Sequence, residues 1–181
     1  GHEGAGVVSS VGEGVDMHSV GDSVAFFKGF GAFAEKIVLP AQMAFPIPES
    51  FPFHIAAGVF MVYGTSYHAL VQRAGINKDD EVLVLGAAGG VGLAAVDIAK
   101  SFGARVVAAV STKEKAEVCA GYGVDDVVVY GEEKLSKEGQ KAFTKELKSK
   151  SVRGGFSIIY DPMGDCFAEP ALRSIGWGGT Y

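Results

Sequence analysis

The chain has 181 residues, 20% of them charged, and a formal net charge of −5 distributed along its length rather than in blocks. That balance argues against a nucleic-acid surface, and no stretch stays apolar for the length of a membrane-spanning helix. The two cysteines, Cys119 and Cys166, stand far apart with no C-x-x-C, which excludes a disulfide framework and points to a reducing, cytoplasmic or mitochondrial, setting.

Residues 1–48 are short apolar runs at 5–11, 23–27, 32–39 and 44–47, broken by glycine and proline. This is all-β texture with tight turns, and too few strands to close a barrel, so part of a β domain is expected. Pro46, Pro48 and Pro52 mark a boundary, dividing the chain into residues 1–52 and 53–181. The opening residues already read as mid-domain and the last four as a strand just beginning. A chain cut at both ends is the expectation.

Beyond the prolines, residues 53–62 and 65–73 read as two short helices hinged at Gly64, with Gly75 as a helix stop. Strands then alternate with helices: strands at 81–85, 105–110, 126–130 and 156–161, helices at 90–102, 112–121, 139–150 and 167–174, and a fifth strand opening at 178–181. Near-continuous Val and Ile in each strand predict a parallel sheet covered on both faces, an α/β doubly wound fold. The lysines of 134–150 are interleaved with glutamates and predict a solvated helix face.

The stretch EVLVLGAAGGVGLAAVDIAKSF, residues 81–102, organises this half. A short apolar run passes through Gly86, Ala87, Ala88, Gly89, Gly90, Val91 and Gly92 into a segment with helical spacing. Strand, glycine turn and helix together let backbone approach a pyrophosphate without a Cβ in the way, and the helix start stabilises the anion. G-x-x-G-x-x-G also occurs where a helix merely packs tightly on a strand, but the strand at 105–110 completes a βαβ unit and favours a bound dinucleotide.

An acid at the tip of the second strand would select NAD by accepting from the ribose. Here the tip reads Ser111-Thr112-Lys113-Glu114-Lys115, with two hydroxyls and two lysines suited to a 2′-phosphate. Ser111 or Thr112 could equally cap the next helix, with Lys113 and Lys115 solvated. Both roles are compatible, and NADPH is expected over NADH.

GHEGAGVVSSVGEGV, AAGVFMVYGTSYHAL, VLVLGAAGGVGLAAVDIAKSFGARVVAAVST, GVDDVVVYGEE, YDPMGD and ALRSIGWGGTY, in this order, resemble the medium-chain dehydrogenase/reductase superfamily, most closely its quinone oxidoreductase, zeta-crystallin-like branch. The resemblance implies part of an all-β GroES-like domain followed by a Rossmann-type sheet incomplete at its C-terminus. It also implies a homodimer for the full-length protein. Gly86, Ala88, Gly89, Gly90, Val91 and Gly92 match the family's pyrophosphate loop. Ser111 and Lys115 match positions that contact the 2′-phosphate, Tyr130 a tyrosine near the adenosine phosphate, and Thr65 a threonine beside the nicotinamide ribose. Asp161, Pro162 and Met163 fall at the carboxyl end of the fourth strand, where open α/β sheets place ligands.

The opening residues also match the family's zinc signature, in which His2 would be a ligand, but the position of a second ligand is Met61. A catalytic zinc needs three protein ligands, so no metal is expected, and His2 and Glu3 read as strand-edge polar residues. The implied chemistry is hydride transfer from NADPH to a quinone or an α,β-unsaturated carbonyl, the protein supplying position and water exclusion. No catalytic acid is assigned: Tyr63, Tyr67, His54 and His68 read better as packing or surface residues. A zinc alcohol dehydrogenase or an enoyl-thioester reductase of the same superfamily, and a nucleotide-binding protein with little turnover, crystallin-like or RNA-binding, are the alternatives.

Overall fold

A computed structural model describes all of residues 1–181. The chain divides into two compact units, Gly1–Gly64 and Thr65–Tyr181.

In the first unit, strands β1 (Glu3–Val7), β2 (Ser23–Phe27) and β3 (Ala44–Pro46) form an antiparallel sheet in that order. Val24, Ala25 and Phe26 of the central strand are buried. Gly4 faces Phe26, whose ring would lie 2.6 Å from a methyl group on that glycine, so the pairing needs the missing side chain. Pro46 cannot donate to a ladder and sits on the edge strand, as that chemistry requires.

Two expectations are corrected here. Residues 32–39 form no strand. Phe33 and Val38 project into solvent, 95% and 89% exposed, and the segment's polar contacts run instead from Ala32 N–H to the Gly1 carbonyl and from Lys28 Nζ to the Val38 carbonyl. An apolar run without a neighbouring strand has no ladder to join. Nor is Gly64 a hinge: it lies inside helix α2 (Val59–Tyr67), and the break comes earlier, where Ala57 and Gly58 close off helix α1 (Phe53–Ala56) by donating to Phe53 and Ile55. Helix α2 widens into a π-helical turn, His68–Arg73, and stops at Gly75, whose φ of +66° is the left-handed stop expected there.

The second unit is a five-stranded parallel sheet ordered β6-β5-β4-β7-β8. Its strands are β4 (Glu81–Leu85), β5 (Arg105–Val110), β6 (Asp126–Val129), β7 (Phe156–Tyr160) and β8 (Ile175–Thr180). The intervening helices are α3 (Gly90–Ser101), α4 (Lys113–Gly121), α5 (Lys137–Lys150) and α6 (Ala168–Leu172). Every residue of β4 is buried, as a central strand covered on both faces demands. Gly92, Ala94, Ala95 and Ala99 bury the face of α3. Phe143 and Leu147 do the same for α5, whose lysines stay in water. Each such large apolar side chain removed from water contributes about 1.5–3 kcal/mol. The chain crosses from β4 to β5 and β6 on one side and returns through β7 and β8 on the other. That reversal opens a crevice at the carboxyl ends of β4 and β7, where a ligand can enter.

The strand β8 begins earlier than expected because glycine hid it. Gly155, Gly176 and Gly179 bring two backbones together so closely that a methyl group on Gly155 would lie 2.6 Å from the Gly176 Cα, and the pairing is irregular at Phe156 and Ile158. At the amino end of β4 the Glu81 carboxylate is 1% exposed. It accepts from Arg105 Nη1 at 2.7 Å, Ser151 Oγ at 2.9 Å and the Val152 N–H, which pairs the charge that burial would otherwise penalise.

Candidate functional site

The turn after β4 is built so that backbone, not side chain, faces the crevice. Gly86 has φ +59°, a conformation that side chains resist. The Gly89 N–H then donates to the Gly86 carbonyl at 3.0 Å and the Ala87 N–H to the Ala109 carbonyl at 3.2 Å, fixing the turn to β5. A methyl group on Gly92 would lie 2.4 Å from the Gly86 oxygen and 2.7 Å from the Ala87 Cα, so helix α3 rests directly on the turn's main chain. Gly89 is the N-cap of α3 and offers no side chain to it. The first N–H groups of the helix therefore lack an intrahelical acceptor, and Gly89 and Gly90 are exposed. Together they form an anion cradle at the positive end of a twelve-residue helix.

Next to it, at the tip of β5, Thr112 caps α4 by accepting from the Lys115 N–H at 3.3 Å. Lys115 Nζ turns back to donate to Ser111 Oγ at 2.8 Å. The structure thus divides the two hydroxyls between the two roles, Thr112 capping and Ser111 beside the cation. Glu114 is the one acid in that first turn, and the Thr112 hydroxyl, followed by its own N–H, holds its carboxyl below the usual range.

On the other side of the turn Tyr130 packs its ring against Phe143 and Phe167, and its hydroxyl donates to Met163 Sδ at 3.4 Å. Burial raises the phenol above its ordinary value, and the Cys166 thiol adds to the shift. Met163 itself lies over Gly86: a methyl group there would be 3.0 Å from both Cγ and Sδ. Met163 is held by Asp161, whose Oδ1 accepts from the Met163 and Gly164 N–H groups and whose Oδ2 accepts from the Tyr181 hydroxyl at 2.6 Å.

Thr65 is exposed and lines a cleft of about 480 Å³ with His68, Arg73, Tyr160, Asp161 and Tyr181. Its neighbour Ser66 is fully buried, donating to the Val91 carbonyl at 2.8 Å and sharing a hydrogen bond of 3.1 Å with the Tyr160 hydroxyl. The start of α3 is thereby tied to α2 and β7. Sequence reading missed Ser66, Tyr160 and Tyr181, since nothing local marks two hydroxyls 94 positions apart as partners. The expected residues gather into one neighbourhood along the strand ends, with Gly86, Ala88, Gly89, Gly90, Val91 and Gly92 at its centre. Tyr130 reaches them through Met163, Thr65 through Ser66, and Ser111 and Lys115 through β5.

In the first unit, His2 is exposed and the Glu3 carboxylate accepts the Met61 N–H at 2.9 Å. No three or more His, Cys, Asp or Glu of this chain stand together as a group that could hold a metal ion. No helix is long and apolar enough to cross a membrane.

A family profile described as Zinc-binding dehydrogenase matches residues 90–181, and one described as Alcohol dehydrogenase GroES-like domain matches residues 1–49. The chain is 36% identical over 99% of its length to Quinone oxidoreductase-like protein 2 homolog of Nematostella vectensis, covering 47% of that protein. It is 32% identical over its full length to Mycoketide-CoA synthase of Mycobacterium tuberculosis, a far longer protein of which it spans 4%. Among solved structures, Escherichia coli quinone oxidoreductase complexed with NADPH superimposes with a TM-score of 0.84 at 31% identity, over 97% of this chain and 52% of that one. The chain therefore spans about half of such stand-alone relatives.

Proposed function

This chain belongs to the zinc-binding dehydrogenase family of the medium-chain dehydrogenase/reductase superfamily, and from that premise we propose that it carries the cofactor half of an NADPH-dependent oxidoreductase reducing a quinone or an α,β-unsaturated carbonyl. The observation that carries the reading is the exposed, uncapped start of α3 after a glycine turn, with a hydroxyl and a lysine paired at the tip of the adjacent strand. The first group fits a pyrophosphate; the second fits a phosphate on the neighbouring ribose.

Gly86, Ala88, Gly89, Gly90, Val91 and Gly92 would hold the pyrophosphate through backbone N–H groups. Ser111 and Lys115 would hold the 2′-phosphate, Lys115 Nζ exchanging its bond to Ser111 for one to an anionic oxygen. Tyr130 would border the adenosine phosphate, and Thr65, at the mouth of the cleft, the nicotinamide ribose. NADPH, when bound, supplies the hydride from its nicotinamide C4. The chain's own residues orient the two ends of the cofactor and keep the α3 start fixed through Ser66 and Tyr160, the positioning on which such transfer depends.

Enoyl-thioester reduction is the second reading, favoured by the likeness to the solved JamJ enoyl reductase, 26% identical with a TM-score of 0.81 over 97% of this chain and 50% of that one; it uses the same hydride on a conjugated C=C bond. Titration of the protein with NADPH and NADH, followed by nicotinamide fluorescence, tests the cofactor half. Lys115→Ala should weaken NADPH by about 10- to 100-fold, as expected for a lost charged hydrogen bond, and leave NADH unchanged. Tighter binding of NADH by the native chain would overturn the phosphate assignment. Turnover on a panel of quinones, enones and enoyl thioesters separates the two reductases, and NADPH binding with no turnover on any of them would favour a protein that binds without catalysing.

A further inference from the structure

The Met163 side chain lies over Gly86 in the glycine turn. Its Cγ and Sδ both lie 3.0 Å from where a Gly86 methyl would stand, so the sulfur is in contact with the main chain of the turn. It is 36% exposed, open to small solutes. The Tyr130 hydroxyl already points a donor at it from 3.4 Å. The Met163 N–H and that of Gly164 both donate to Asp161 Oδ1 at 2.8 Å, which ties the loop down on either side of the Met163–Gly164 peptide.

We propose that Met163 is an oxidative modification site at which a peroxide reversibly switches off nucleotide binding, a proposal that rests on the dinucleotide reading above. The sulfur attacks the terminal oxygen of hydrogen peroxide; the O–O bond breaks, an S–O bond forms, the thioether loses two electrons and the peroxide is reduced to water. Sulfoxide formation turns a soft apolar group into a strongly polar acceptor, and a thiol-driven sulfoxide reductase reverses it. At this position Tyr130 donates to the new oxygen and holds it over Gly86. It then competes for the exposed N–H groups of the α3 start and repels the pyrophosphate oxygens that would take its place. Before oxidation the flexible, uncharged thioether can rotate aside.

The chain is treated with hydrogen peroxide, then with dithiothreitol to return oxidised Cys119 and Cys166 to thiols, and titrated with NADPH. The expected result is at least a tenfold rise in Kd, one added oxygen on the Met163 peptide by mass spectrometry, and recovery after incubation with methionine sulfoxide reductase. Met163→Leu, which keeps Met17, Met43 and Met61, should show the same NADPH affinity after the treatment as before it, whatever its untreated value. Unchanged affinity in the oxidised native chain, or equal loss in Met163→Leu, overturns the switch. Failure of the untreated chain to bind NADPH is a different result: it removes the dinucleotide reading itself, and the switch with it.

Discussion

Replacing Gly92 with alanine inserts one methyl group into the contact between helix α3 and the turn that precedes it. That carbon would stand 2.4 Å from the Gly86 oxygen, 2.7 Å from the Ala87 Cα and 2.8 Å from the Ala87 carbonyl carbon. All three are backbone atoms, so no rotamer change relieves the clash, and helix or turn must shift. Overpacking of a tight core costs typically about 1–3 kcal/mol, and three rigid contacts put this case at the upper end. Alanine returns about 1 kcal/mol of helix propensity, leaving a net loss of about 2 kcal/mol. Chemical denaturation followed by far-UV circular dichroism reads that loss, while NADPH titration reads the displaced cradle, with at least a tenfold weaker Kd expected. Gly89→Ala is the control: its methyl would lie 3.3 Å from the Gly86 oxygen at an ordinary φ of −79°, and it should cost far less. A Gly92→Ala protein as stable as the native chain and equally able to bind NADPH would refute the claim that α3 is seated directly on the turn.

Gly64→Ala should act in the opposite sense, because nothing lies within 4 Å of its methyl and the position is helical; a gain of about 1 kcal/mol in denaturation is expected, and a loss would restore the hinge. Arg105→Ala leaves the buried Glu81 carboxylate with Ser151 and Val152 as its remaining donors and should cost about 3 kcal/mol, whereas a Glu81→Met/Arg105→Met pair should recover most of it. Burial, then the hydrogen bond to the Asp161 carboxylate and its charge, push the Tyr181 phenol up to about 12 from 10.0. A folded value above the unfolded one means the contribution is full below pH 10 and is lost as pH rises toward 12. Ultraviolet titration should show two late-ionising tyrosines, Tyr130 and Tyr181, of which one disappears in Tyr181→Phe; persistence of both there would refute the assignment.

The parts of the chain legible in advance are those where one local rule decides. Continuous apolar runs, Val and Leu in β4 and Val and Ala in β5, marked both strands. Thr112 caps α4 through a bond to the residue three positions on, a signal that lies within a single turn. The glycine turn was equally plain, since its spacing alone marks a strand turning into a helix. What could not be read depends on partners distant in sequence. Residues 32–39 carry a strand's composition without a neighbour, and composition alone says nothing of that. In β8 the reverse holds: Gly176 and Gly179 lack the side chains by which strands are recognised, yet their bareness is what lets the two backbones meet. Gly64 misled because a glycine weakens a helix without having to break it. In the site, the Asp161–Tyr181 bond and the Ser66–Tyr160 pair follow from the sheet order and have no local trace.

Amide-resolved NMR of the chain titrated with NADPH tests most directly the claim that main-chain donors of the glycine turn hold the cofactor. The largest shifts are predicted at the N–H groups of Gly89, Gly90, Val91 and Gly92, with a second group at Ser111 and Lys115 that is absent when NADH is added instead. Binding that leaves the turn's amides unmoved while shifting resonances elsewhere would contradict the account.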